Sequence, residues 1–275
     1  MPFATSRKRL NEKPLPSGSG GVTKLIAGGS SLRAKKAWFL LDDAVIALGA
    51  GITASDGRRI ETIVENRNTH DRHPPLTRGD GWVHLSGVAG YVLLDGAGAK
   101  VIRKRRTGRW RDIDKGATTG GDTSSATRNY TTILIDHGVD PRKARYAYAV
   151  LPDASIAQTA AYHGRIEIVA NSGAVQAIAR DGVLAAVFWR AGAVESADGP
   201  LAADGPCTLL VRRDGKRVRL AVSDPSRTSD EVKITLPWPV KSVRESDRGV
   251  RKARTALKVE VGGSRGHAHT AEVCV

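Results

Sequence analysis

From Lys35 onward the chain is written in short apolar runs that alternate with polar positions and are cut by Gly, Pro, Asp and Asn. Successive side chains of an extended strand point to opposite faces, so this period-two texture predicts strands. Ala37-Trp38-Phe39-Leu40-Leu41 and Val45-Ile46-Ala47-Leu48 read as two strands reversing at Asp42-Asp43. Ile60 to Glu65 offers one side chain in two to a core. Further strands are predicted at Gly81 to Leu85, Tyr91 to Leu94, Thr131 to Ile135, Arg145 to Leu151 and Arg165 to Ala170. Smaller units follow in Val175 to Ala179, Ala185 to Trp189, Val232 to Leu236 and Ala256 to Val261. Asp214-Gly215, between Leu209 to Arg213 and Arg217 to Val222, is the strongest hairpin signal.

No segment repeats apolar residues at helical spacing over three turns. The nearest is Asp153 to Tyr162, where Pro152 and Asp153 would start a short helix and Gly164 would end it. The chain is therefore predicted to be all-β, a large antiparallel β-sandwich over residues 35–171 followed by a smaller C-terminal β-sandwich domain over residues 172–275. Residues 1–34, rich in Pro, Gly, Ser and basic side chains, read as a disordered basic leader.

Composition narrows the class. The 275 residues can bury one large core or two modest ones, and 40% of them are hydrophobic. No apolar run approaches the roughly 18 residues of a membrane-spanning helix, so no membrane partner is expected. Arg7, Lys8 and Arg9 are not followed by an apolar stretch, and no secretory signal is read. Two cysteines, Cys207 and Cys274, cannot build a disulfide framework or a zinc knuckle and read as buried thiols.

Few residues suggest chemistry. His70 and His73 lie in a Pro-rich turn with only Asp71 beside them, and His267 and His269 would share one side of a C-terminal strand. Neither pair supplies a ligand set, so no metal is expected. Asp42-Asp43 reads as a turn, and Glu61 and Glu65 as polar positions of an alternating strand, not as paired glycosidase carboxylates. Gly18-Ser19-Gly20-Gly21 lacks the flanking strand and helix of a phosphate loop, and no cofactor is expected.

Several stretches read together carry a resemblance. Lys35-Lys36-Ala37-Trp38-Phe39-Leu40-Leu41-Asp42-Asp43, Ala47-Leu48-Gly49-Ala50-Gly51-Ile52 and Glu61-Thr62-Ile63-Val64-Glu65-Asn66-Arg67 resemble the signature of polysaccharide lyase family 8, which includes hyaluronate, chondroitin AC and xanthan lyases. Gly81-Trp82-Val83-His84, Gly90-Tyr91, Asp136-His137-Gly138 and Tyr146 to Pro152 follow in the same order. Val175-Gln176-Ala177, Phe188-Trp189 and Ala221 to Pro225 resemble the family's C-terminal domain. The resemblance implies a central β-sandwich and a C-terminal β domain without the helical toroid on which the family's eliminating Asn, His, Tyr and Arg lie. It thus implies a truncated member with little intrinsic activity, completed by a separately encoded toroid, and an extracellular setting; a chain expressed as written, without a signal, would stay in the cytoplasm.

β-Elimination of a uronic acid needs a neutralised carboxylate, a base for the C5 proton and an acid for the leaving oxygen. His137 and Tyr146, with Arg142 and Arg145 between them, have the required residue types. They fall inside a stretch that resembles the family's scaffold, and no catalytic residue is assigned. Forty-three Lys and Arg against 28 Asp and Glu give a net charge of +15. Most of that excess is spread over the whole chain, but eight basic residues crowd between Lys100 and Lys115, relieved only by Asp112 and Asp114. There Arg103, Lys104, Arg105, Arg106, Arg109, Trp110 and Arg111 offer guanidinium forks for carboxylate or sulfate and an indole for a sugar face, the candidate binding residues for an acidic polysaccharide such as hyaluronan, chondroitin or xanthan. The alternative is non-specific binding of nucleic acid, which the scarcity of aromatic residues, 5%, makes the poorer reading. A solvated hairpin with no binding role is the third.

Overall fold

The computed structural model describes residues 30–95, 98–113, 123–254 and 256–275, so the leader expected over 1–34 lies outside the described residues up to position 29. The first half of the chain forms β1 (Arg33–Leu40), β2 (Val45–Thr53), β3 (Arg59–Asn68), β4 (Leu76–Gly79), β5 (Trp82–Leu85), β6 (Ala89–Leu93), β7 (Ala99–Gly108), helix α1 (Trp110–Ile113), β8 (Ala126–Val139), β9 (Ala144–Pro152) and helix α2 (Ile156–Ala160). The second half forms β10 (Glu167–Asn171), β11 (Val175–Arg180), β12 (Val183–Phe188), β13 (Gly192–Ser196), β14 (Gly199–Ala203), β15 (Cys207–Asp214), β16 (Arg217–Ser223), β17 (Glu231–Thr235), β18 (Ser242–Ser246), β19 (Val250–Ala253), β20 (Ala256–Glu260) and β21 (His269–Cys274).

Four antiparallel sheets result: β3-β8-β7, β1-β2-β9-β6-β5-β4, β10-β11-β12-β15-β16-β21-β18 and β13-β14-β17-β20-β19. They stack in that order. Ile133 and Ile135 of β8 pack on Tyr91, Tyr146 and Tyr148 of the six-stranded sheet. The opposite face of that sheet, with Phe39, Ile46, Leu48, Ala147 and Ala149, packs on Ile178, Ala185 and Val187 of the seven-stranded sheet. The far face of the latter, with Leu184, Ala186 and Phe188, meets Leu201, Val232 and Leu257 of the five-stranded sheet. The two inner sheets are covered on both faces. This is why Val45 to Leu48 and Val183 to Phe188 are continuous apolar runs, although their pairing is antiparallel.

The two sandwiches are also tied by polar links. Arg180 of β11 forks onto both carboxylate oxygens of Asp43, at 2.6 and 3.1 Å, and donates to the Tyr162 hydroxyl. Asn171 donates to the Tyr146 carbonyl and accepts from Gln176, whose other end accepts from the Trp189 indole. Lys35 lies over that indole at 4.7 Å.

Local signals were realised with shifts. The Asp214-Gly215 hairpin forms, but Asp214 pairs with Arg217, so the two-residue loop is Gly215-Lys216. Asp181 and Gly182, both at positive φ, make the matching loop between β11 and β12. The predicted helix begins later than Pro152. Asp153 is left-handed at φ 55°, and Ser155 caps α2 through a reciprocal bond with Gln158. β10 pairs with β11, which places Glu167–Asn171 in the seven-stranded sheet although the sequence reading put it in the first domain.

Candidate polyanion-binding surface

β8 is the spine of the three-stranded sheet. It pairs with β3 from Tyr130 to Val139 and with β7 from Ala126 to Ile135, so beyond Arg105 the β7–β8 ribbon leaves the sandwich. Its alternation assigns the faces. Ala99 and Val101 pack inward against the six-stranded sheet, so Arg103 and Arg105 share their side, while Lys100, Ile102, Lys104 and Arg106 point to the outer face. From Ile102 to Trp110 every residue is exposed.

The structure therefore divides the basic cluster. Arg103 donates to the Pro74 carbonyl at 2.6 Å. Arg106 lies over the Tyr130 ring at 4.6 Å and donates to the Thr132 hydroxyl. Arg109 leads into α1, which carries Arg111 and Trp110, the indole 65% exposed. Lys104, Arg105, Arg106, Arg109 and Arg111 make no ion pair among the described residues, and Lys115 lies outside them. Two further residues join the outer face by register. Tyr130 stands opposite Lys104, and exposed Arg128 stands opposite Arg106. Neither is legible as a strand position in the sequence, where the strand signal begins only at Thr131.

The root of the ribbon is neutralised. Asp136 bonds to Lys100 and to Arg59 and accepts from the Gly138 N–H, and these partners, Lys100 foremost, hold its carboxyl down at about 2. A carboxyl held below its ordinary value of 3.8 stabilises the fold above that value and loses the contribution as pH falls through 2. Thermal stability should accordingly fall as pH drops through that window, and Asp136→Asn should make the fall shallower, Asp43 and Asp224, also held below their ordinary value, supplying part of the rest.

His137 and Tyr146 do not form a reactive pair. His137 lies on β8 instead of in a turn, bonded to the Thr62 hydroxyl at 2.8 Å. Tyr146 is 1% exposed and stacked on Tyr148, with 6.2 Å between its ring centre and that of His137. Burial pushes the Tyr146 hydroxyl far above its ordinary range and the His137 imidazole below its own. Arg142 and Arg145 are exposed. Glu65 accepts from the Tyr91 hydroxyl at 2.6 Å and pairs with Arg67, and Glu61 stands opposite Asp136.

The other histidines stay apart as well. His73 bonds to Thr131, and His70 makes a backbone bond to the Asn68 side chain. His267 precedes β21 instead of sharing it with His269, because its amide closes a turn on Ser264. Among the described residues no cluster of three or more His, Cys, Asp or Glu could hold a metal, and no helix is long and apolar enough to cross a membrane. Both cysteines are free, Cys207 buried and Cys274 half-buried.

Stacked antiparallel sandwiches bearing an exposed cationic ribbon define an all-β scaffold. Two family models match it: the super-sandwich domain of polysaccharide lyase family 8 over residues 17–163, and that family's C-terminal β-sandwich domain over residues 167–233. The chain belongs to polysaccharide lyase family 8. It is 36% identical to a hyaluronate lyase of Thermasporomyces composti, matching 100% of this chain and 40% of that one, and 32% identical to a xanthan lyase of Bacillus sp. (strain GL1), matching 90% and 30%. Its backbone superposes on a chondroitin AC lyase of Streptomyces coelicolor A3, solved with chondroitin sulphate, with a TM-score of 0.82, 36% identity and coverage of 99% and 39%. The chain thus spans 40% or less of the length of these relatives.

Proposed function

We propose that these β domains are the non-catalytic part of a β-eliminating polysaccharide lyase, holding an acidic polysaccharide weakly while a helical toroid performs the elimination. The observation that carries this reading is the exposed β7–β8 ribbon, whose Lys104, Arg105 and Arg106 lack an acidic partner among the described residues. Arg103, Lys104, Arg105, Arg106, Arg109, Trp110 and Arg111 are its binding residues, the guanidinium groups for carboxylate or sulfate and the exposed indole for a sugar face. The similarity to hyaluronate, xanthan and chondroitin lyases supports an acidic polysaccharide as the partner.

Affinity for hyaluronan, chondroitin sulfate, xanthan and duplex DNA, measured at two salt concentrations, tests the reading. A glycan preferred over DNA at the higher salt is the expected result. Counterion release lowers DNA affinity by about 10³-fold or more between 50 and 200 mM salt for a protein with many phosphate contacts. Tighter binding of DNA at both salt concentrations would overturn it in favour of nucleic acid.

A further inference from the structure

Arg106 and Arg128 occupy directly opposite positions on the outer face of the ribbon. Directly opposed residues of an antiparallel pair have Cβ atoms only about 5 Å apart, and like charges there destabilise the pairing. The two guanidinium groups turn away from each other. Arg106 leans over Tyr130 toward Thr132, and Arg128 folds back onto the Thr127 carbonyl at 2.8 Å. No carboxylate pairs with either among the described residues, since Asp136 on the same face is held by Arg59 and Lys100. The bonds that hold the two groups apart are to neutral acceptors, weaker than those a guanidinium makes to an oxyanion.

We propose that Arg106 and Arg128 are the two jaws of a seat for a single oxyanion, the sulfate or carboxylate of one sugar in an acidic glycan, with Tyr130 as the aromatic floor beside it. This deepens the polysaccharide-binding reading and rests on it. The anion neutralises the opposed charges and accepts from both forks, so the two arginines act as a unit. Arg105, on the other face and opposite Asn129, contacts the glycan outside the seat and is not coupled to it. The seat is thus on the outer face of the ribbon and draws two of its residues, Arg128 and Tyr130, from β8.

The test uses the full chain and its Arg106→Gln, Arg128→Gln, Arg105→Gln and Arg106→Gln/Arg128→Gln variants. Chondroitin sulfate and hyaluronan oligosaccharides of equal length are the probes, and a thermal unfolding curve checks each variant's fold. All three positions are exposed or at the ribbon edge, so the melting temperature should stay near wild type. Each outer-face variant should lose about tenfold in affinity, the double variant scarcely more than either single one, and Arg105→Gln less than about threefold. The probe on which the coupling appears identifies the oxyanion: chondroitin sulfate alone for sulfate, both for carboxylate. Equal losses at all three positions, or losses that multiply in the double variant, would overturn the seat and leave the polysaccharide reading standing. Failure of the wild-type chain to bind either probe would overturn that reading and the seat with it.

Discussion

Phe39→Ala is expected to destabilise the protein by about 4 kcal/mol, the range for truncating a fully buried aromatic residue. Phe39 has no exposed surface and belongs to the cluster shared by the six- and seven-stranded sheets, where it packs with Ile46, Ile178, Ala185 and Val187. A cavity there lies at the seam between the two sandwiches. Both halves should therefore lose stability together, and thermal unfolding should stay a single transition at lower temperature. Phe39→Leu, which keeps most of the volume, should cost about 1.5 kcal/mol. Unfolding of the first sandwich alone, with the second melting at its wild-type temperature, would show that the seam does not couple them.

Gly49→Ala should be nearly as damaging, at about 3 kcal/mol, through overpacking instead of a void. A Cβ on Gly49 would stand 2.0 Å from the ring of Tyr146, its cross-strand partner. That ring cannot swing aside, because it is 1% exposed and stacked on Tyr148, with centroids 5.6 Å apart. For a chain of this size the loss corresponds to a melting point lower by roughly 6 to 12 °C. A double-mutant cycle isolates the cause. Tyr146→Ala is itself destabilising, yet Gly49→Ala added to it should cost far less than in the wild type, whereas added to Tyr146→Phe, which keeps the ring, it should cost the same. Equal penalties in all three backgrounds would show that the ring is not the obstacle.

How much of this could be read from the chain depends on where each strand sits. The doubly covered strands announce themselves, because both sets of side chains are apolar: the strands predicted at Val45 to Leu48, Arg145 to Leu151 and Ala185 to Trp189 fall within β2, β9 and, but for Trp189, β12. The all-β class and the family signature follow from those interior runs. β7 and the first residues of β8 are the opposite case. Beyond Val101 both faces meet solvent, so no apolar alternation marks the ribbon, and the basic cluster alone drew attention to it. Its division into two faces, and the meeting of Arg106 with Arg128, depend on the register of β7 against β8, which no turn signal in the long connection from Gly108 to Ala126 fixes. The start of α2 was nearer to hand. Ser155-Ile156-Ala157-Gln158 has the spacing of a capping box, a stronger signal than Pro152-Asp153.

His137 illustrates the same limit. Beside Gly138, which has a positive φ, it looks like a turn residue in sequence, while pairing of β8 with β3 carries the strand through to Val139. Burial against Thr62 and Tyr146 then makes it part of the scaffold.

The most direct test of the central claim is an elimination assay of the purified chain on hyaluronan, chondroitin and xanthan, following the ultraviolet absorbance of unsaturated uronate ends, with His137→Ala and Tyr146→Phe in parallel. No turnover above background is predicted for the chain by itself or for either variant. Turnover by the wild-type chain that is lost in either variant would contradict the account, since it would place an acid–base site inside the β domains.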